Sequence, residues 1–250
     1  MGHEFERSDE VDLQATPEQV WEAIATGPGI DSWFMGSNQV EPGEGGTVRT
    51  AYGDYGPRST VTAWEPPHRF AHRTDRAEDG RFIAYEFLIE GRAGGSTVLR
   101  MVTSGFLPGD DWTEEYEAMT RGGQMFFRTL VEYLTHFPGR TATPLTVFGP
   151  PASADWERAR AVLHEALGLR AGATGGERVR FTPDGLEPVE GVVYFGNPDT
   201  LGVRAGDAMY RFLRGFRGPL VGSHHLFADQ VDLPRAERAW RSWLDRLFAG

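Results

Sequence analysis

At 250 residues, with 40% hydrophobic content and no cysteine, the chain is long enough for one large or two modest packed domains, and it excludes disulfides, thiolate nucleophiles and cysteine metal sites. All 25 basic residues are arginine, which excludes a lysine Schiff base or a phosphate-loop lysine. The net charge of -11 resides in residues 1 to 141, a surface that repels phosphate backbones and anionic lipids, so no nucleic acid and no membrane is expected as a partner.

In chain order, His3 to Gln14 interleaves charged and apolar residues, with Phe5, Val11 and Leu13 on one side, and reads as a first strand. Ala15 to Phe34 reads as a helix pair. Thr16 caps a helix beginning at Pro17, and Gln19 completes a Thr-x-x-Gln capping box. Val20, Trp21 and Ile24 form its apolar face. Gly27 reads as a left-handed stop and Pro28 as a restart, and Ile30, Trp33 and Phe34 make a second short apolar face. Six segments of period two follow, at 38–41, 47–52, 59–64, 70–74, 82–90 and 97–106, separated by Gly-, Pro- and Asp-rich turns. With the first strand they predict a seven-stranded antiparallel sheet. From 110 to 137 the period becomes helical, giving one helix of about 40 Å with an acidic start. Gly122 and Gly123 in its middle invite a bend or a gap against a neighbour.

After Pro138-Gly139 and a short linker the pattern repeats in abbreviated form. A strand at 145–148 precedes a helix capped by Ser153, strands at 178–182, 191–195, 208–213 and 220–227, and a final helix from Leu233 to Phe248. The order of elements suggests a degenerate internal duplication, with domains at 1–140 and 141–250. The even charge of this half and its paired Trp240 and Trp243 suggest packing against the first half or against another copy of the chain, a homodimer. With no apolar run long enough to span a membrane and no basic-then-apolar leader, a cytoplasmic location is expected.

Four stretches carry a family resemblance: ATPEQVWEAIATGPGIDSWF at 15–34, VEPGEGGTVRT at 40–50, VTAWEPPHRFAHR at 61–73 and DDWTEEYEAMTRGGQMFFRTLVEYLTHF at 110–137. Together they resemble the SRPBCC (START and birch-pollen-allergen-like) superfamily, in the bacterial branch named after the activator of a heat-shock protein ATPase. The resemblance covers about residues 3 to 137. It implies an α+β helix-grip fold, in which a curved antiparallel sheet closes around a long C-terminal helix, and it extends to the second half only in outline. It also implies an apolar tunnel of some hundreds of Å³ between sheet and helix. Trp33, Phe34 and Met35 would stand at its mouth, Tyr85, Phe87 and Met101 on its sheet side, and Trp112, Tyr116, Met119 and Phe126 on its helix side. Relatives place a tryptophan where this chain has Gly123, so one aromatic wall is expected to be missing.

The motifs of other chemistries are absent. His68 and His72, four apart on a strand, would stand about 13 Å apart and cannot share a metal, and adjacent His224 and His225 would point to opposite faces. Gly43 to Gly46 lies between strands and reads as a hairpin turn, and no Gly-x-Ser-x-Gly elbow occurs. Neither metal nor cofactor is expected. Acid-base chemistry would fall to isolated polar residues in the tunnel, His72 first, since it shares a strand face with Phe70, and Tyr116 and Asp31 after it. The leading expectation is a binder of a small hydrophobic molecule such as a lipid, polyketide or xenobiotic. A cyclase or aromatase type of enzyme and a chaperone-interaction module are the rival readings.

Overall fold

A computed structural model describes residues 2–53, 56–110, 112–170, 172–215 and 218–249, which fall into two units, Met1–Thr141 and Ala142–Gly250. In the first, β1 (His3–Leu13) leads into α1 (Pro17–Ala25) and α2 (Gly27–Asp31). Six strands follow: β2 (Ser37–Val40), β3 (Thr47–Ala51), β4 (Arg58–Glu65), β5 (Arg69–Thr74), β6 (Phe82–Gly91) and β7 (Thr97–Leu107); α3 (Trp112–His136) closes the unit. The sheet order is β1-β7-β6-β5-β4-β3-β2, antiparallel throughout, with β1 paired along its whole length to β7 from His3↔Leu107 to Leu13↔Thr97. This is the α+β helix-grip arrangement, with α3 packed on β1, β7 and α1.

The helix pair forms for the reasons its residues suggest, with one exception. The Thr16 hydroxyl accepts from the Gln19 N–H at 3.3 Å and the Gln19 amide oxygen accepts from the Thr16 N–H at 2.9 Å, a complete capping box. Gly27, however, is not a left-handed stop. Thr26 stays extended and caps α2 by accepting from the Gly29 N–H at 3.0 Å, so Gly27 opens the second helix. Glycine is needed there because a Cβ would lie 2.5 Å from the Asn38 carbonyl oxygen.

Along α3 the two halves differ. Leu130, Tyr133 and Leu134 near its C-terminus are buried, whereas the first three turns are only partly covered. The helix runs unbroken through Gly122 and Gly123. At Gly123 the room a side chain would fill is taken by Arg7 of β1, whose Nη1 lies 3.0 Å from a Cβ built there.

The second unit comprises β8 (Thr143–Phe148), a 3-10 turn at Pro151–Ala154, α4 (Trp156–Ala166), β9 (Arg178–Phe181), β10 (Val189–Asn197), β11 (Thr200–Arg204), β12 (Ala208–Leu213), β13 (Val221–Leu226) and α5 (Leu233–Leu247). Its sheet order, β8-β13-β12-β11-β10-β9, again pairs the first strand with the last and runs the others in sequence. Two expectations are corrected, and one strand lies where none was expected. Asp155, not Ser153, caps α4, accepting from the Arg158 N–H, while Ser153 lies in the preceding turn and its hydroxyl accepts from the Leu220 N–H. Strand β11 went unread because Gly202 interrupts its apolar pattern; the Tyr194 ring occupies the space a side chain would need, with Cζ 2.5 Å from a built Cβ. Trp240 and Trp243 are not an outward-facing pair. They are buried in this unit's own core with Phe181, Tyr210 and Phe212.

Candidate functional site

Two adjoining apolar chambers lie on one face of the first unit's sheet, one against the helix pair and one against α3. The inner one, about 40 Å³, is lined by Ile24 and Ile30 of the helix pair, Trp33, Phe34, Asn38, Val48, Thr50, His72, Tyr85, Phe87 and Met101. The outer, about 170 Å³, is lined by Phe5, Arg7, Phe34, Ile83, Tyr85, Met101, Thr103, Tyr116, Met119, Thr120, Gly122, Gly123 and Phe126. Phe34, Tyr85 and Met101 border both. Phe34 therefore stands between the chambers with Tyr85 and Met101, and on the outer side its ring sits 4.3 Å from that of Phe126. Each chamber is smaller than the several hundred Å³ expected of a ligand tunnel.

The walls of the inner chamber are held by specific hydrogen bonds and ring contacts. Trp33 is fixed by its indole N–H, which donates to the Ala23 carbonyl at 2.9 Å, and its ring lies against Phe34 and Phe87. Asp31 anchors the chain entering β2. Its Oδ1 accepts from the Asn38 backbone N–H at 2.6 Å and from Asn38 Nδ2 at 2.9 Å, and the Asn38 amide oxygen accepts from Thr50 at 2.7 Å. Burial raises the Asp31 pKa against those hydrogen bonds. Asp31 is absent from both linings, and its carboxylate is engaged in holding Asn38 and Thr50 at the chamber wall.

His72 stands opposite Tyr85 in the β5–β6 ladder, its ring 5.3 Å from Tyr85 and 5.4 Å from Phe70. Its Nδ1 is buried without a hydrogen-bond partner among the described residues, and burial pushes its pKa down to about 4. At neutral pH the ring is therefore uncharged and offers a polar atom inside an apolar wall.

Of the residues singled out from the sequence, Trp33, Phe34, Tyr85, Phe87, Met101 and His72 meet at the inner chamber, and Tyr116, Met119 and Phe126 at the outer. Met35 borders neither; its carbonyl accepts from Asn38 Nδ2 at 3.1 Å. Trp112 also lies outside both, at the start of α3 with its ring 4.1 Å from His3. Arg7 is the residue sequence reasoning missed. Among the described residues it is the one charged side chain in either lining, and its signal was the glycine pair on α3 that makes room for it.

Among the described residues no group of three or more His, Asp or Glu side chains could hold a metal ion, and no helix is long and apolar enough to cross a membrane.

A seven-stranded sheet gripping a long helix over an aromatic-walled chamber defines a helix-grip fold in the first unit. Residues 14–135, most of the first unit, match the model of the activator of Hsp90 ATPase homolog 1-like protein family. A search among curated proteins finds no match. Solved structures similar to the chain include the Aha1 dimer from Colwellia psychrerythraea, 20% identical over 52% of this chain and 96% of that one with a TM-score of 0.42. Bacillus halodurans protein BH1534 is 25% identical over 52% and 96%, with a TM-score of 0.45. DynU16, described as a putative protein in the dynemicin biosynthetic locus, is 20% identical over 98% and 96%, with a TM-score of 0.44.

Proposed function

We propose that the first unit binds a small, largely apolar molecule in the outer chamber and admits longer ones by displacement of Phe34. The observation that carries this is the paired chambers, lined by aromatic and methionine side chains and sharing Phe34, Tyr85 and Met101. The outer chamber, about 170 Å³, is close to the roughly 150 Å³ cavity that accepts benzene, so it suits a molecule of one or two rings. Met101 and Met119 give its walls some adaptability. Rotation of Phe34 away from Phe126 would join the two chambers into one elongated site reaching His72.

The test is thermal unfolding of the full chain with naphthalene-sized and longer aromatic probes. A ligand present at about 100 times its Kd should stabilise the first unit by about 2.7 kcal/mol. Phe34→Ala should favour the longer probes over the shorter. If no apolar probe shifts the transition in either protein, the binding reading fails.

A cyclase-type activity draws support from one feature, the neutral His72 with its buried, unpartnered Nδ1. Such a ring would position and hydrogen-bond an enolising carbonyl rather than act as a strong base, since its pKa lies well below neutrality. On that reading His72→Phe abolishes turnover while probe binding persists. A chaperone-interaction role has less support: among the described residues Phe148 is the only large hydrophobic side chain left exposed.

A further inference from the structure

We infer that Arg7 makes the outer chamber selective for a neutral ligand bearing a carbonyl oxygen, and against the corresponding carboxylate; this rests on the binding reading above. The Arg7 side chain is 18% exposed and borders a chamber otherwise lined by apolar and hydroxyl side chains. Its Nη1 donates to the Thr120 carbonyl at 2.8 Å and its Nη2 to Asp9 Oδ2 at 2.5 Å. A guanidinium carries five N–H donors, and Arg7 has no third partner among the described residues, so donors remain unpaired beside an apolar space. Any ligand entering the chamber strips water from such a donor, and a ligand oxygen that accepts its hydrogen bond gains selectivity over a ligand without one.

The charge of that oxygen follows from Asp9. The Asp9 carboxylate already neutralises the guanidinium, so the pair presents N–H groups with no net positive charge. A ligand carboxylate entering here would lose its hydration and meet a second carboxylate next to Arg7. The start of α3 adds Glu114, Glu115 and Glu117 to an already acidic unit. A ketone, ester or quinone oxygen accepts the same hydrogen bonds without that repulsion. Gly122 and Gly123 complete the arrangement by leaving the helix surface bare where the guanidinium lies.

Three probes of similar size separate the possibilities: 2-acetylnaphthalene, 2-naphthoate and 2-ethylnaphthalene, titrated calorimetrically into the full chain at pH 7. The ketone should bind at least about tenfold more tightly than either of the others, the ratio expected of one hydrogen bond to a charged donor. Arg7→Met should bring the ketone to the level of the hydrocarbon and leave the hydrocarbon unchanged. Asp9→Asn, which leaves the guanidinium charge unbalanced, should tighten 2-naphthoate. Tightest binding of the carboxylate by the unaltered protein, or a ketone preference that survives Arg7→Met, overturns the inference. Hydrocarbon binding without a ketone advantage defeats this inference alone, whereas failure of all three probes defeats the chamber reading beneath it.

Discussion

His224 is a costly side chain in the second unit's core. It is buried, both ring nitrogens lack hydrogen-bond partners among the described residues, and its ring lies 4.1 Å from that of Trp240. Burial, reinforced by the nearby Arg211 charge, pushes its pKa down to about 3, against an ordinary histidine value near 6.5. Between those values the unfolded chain binds a proton that the folded one refuses. Stability therefore falls as pH drops from about 6.5 towards 3, by up to about 1.4 kcal/mol per pH unit for this group. Urea midpoints of the second unit at pH 7 and pH 5 should diverge in the unaltered protein and converge in His224→Phe, which should also be as stable or more so at pH 7. An unchanged pH dependence in the variant would dismiss the argument. His72 imposes the same sign on the first unit, over the interval from about 6.5 down to about 4. The inward position of His72 was legible because Phe70 two residues earlier fixes the face of the strand. That of Arg7 was not: it follows Phe5 by two, but residue type argued for solvent, and its partner Thr120 lies 113 positions away.

Among the elements, α3 shows what helix propensity yields to a site. Glycine in a helix interior costs about 1 kcal/mol relative to alanine, and α3 carries two in succession. They differ in their surroundings. A Cβ on Gly122 meets nothing within 4 Å, so Gly122→Ala should stabilise the first unit by about 1 kcal/mol, read as a raised melting temperature. A Cβ on Gly123 meets Arg7 Nη1 at 3.0 Å, so Gly123→Ala should gain less and should weaken binding of 2-acetylnaphthalene by displacing the guanidinium. Equal gains from both, with unchanged binding, would mean that the glycine pair has no role in the chamber. The sequence carried the gap in α3 but not its occupant, because propensity is local and the β1–α3 contact is not. The opposite holds for the helix pair. Its capping box could be read from four residues, since every partner lies within one turn, whereas the meaning of Gly27 depended on Asn38 eleven positions later and was misread.

At the scale of the whole molecule, two sheets with the same pairing rule have met opposite fates. In the first unit the space between sheet and helix stays open around Phe34 and Phe126; in the second, Trp240, Trp243, Phe181, Tyr210 and Phe212 fill it. Volume contributes to the difference: α5 turns two indoles toward its sheet, while α3 intersperses Gly122 and Gly123 among the Tyr116, Met119, Thr120 and Phe126 side chains that line its chamber. Spacing alone could not distinguish these outcomes, because aromatic residues at helical intervals suit a lined cavity and a filled core equally well. The two units should accordingly respond to different perturbations. Trp240→Ala removes a fully buried indole and should cost the second unit about 3 to 5 kcal/mol, lowering its unfolding transition. Because the core around Trp240 is built from residues of its own unit, 2-ethylnaphthalene should bind that variant as tightly as it binds the unaltered protein. Calorimetric unfolding with and without the probe provides the check. A probe-dependent shift in the second transition, or loss of binding in Trp240→Ala, would place the ligand in the wrong unit.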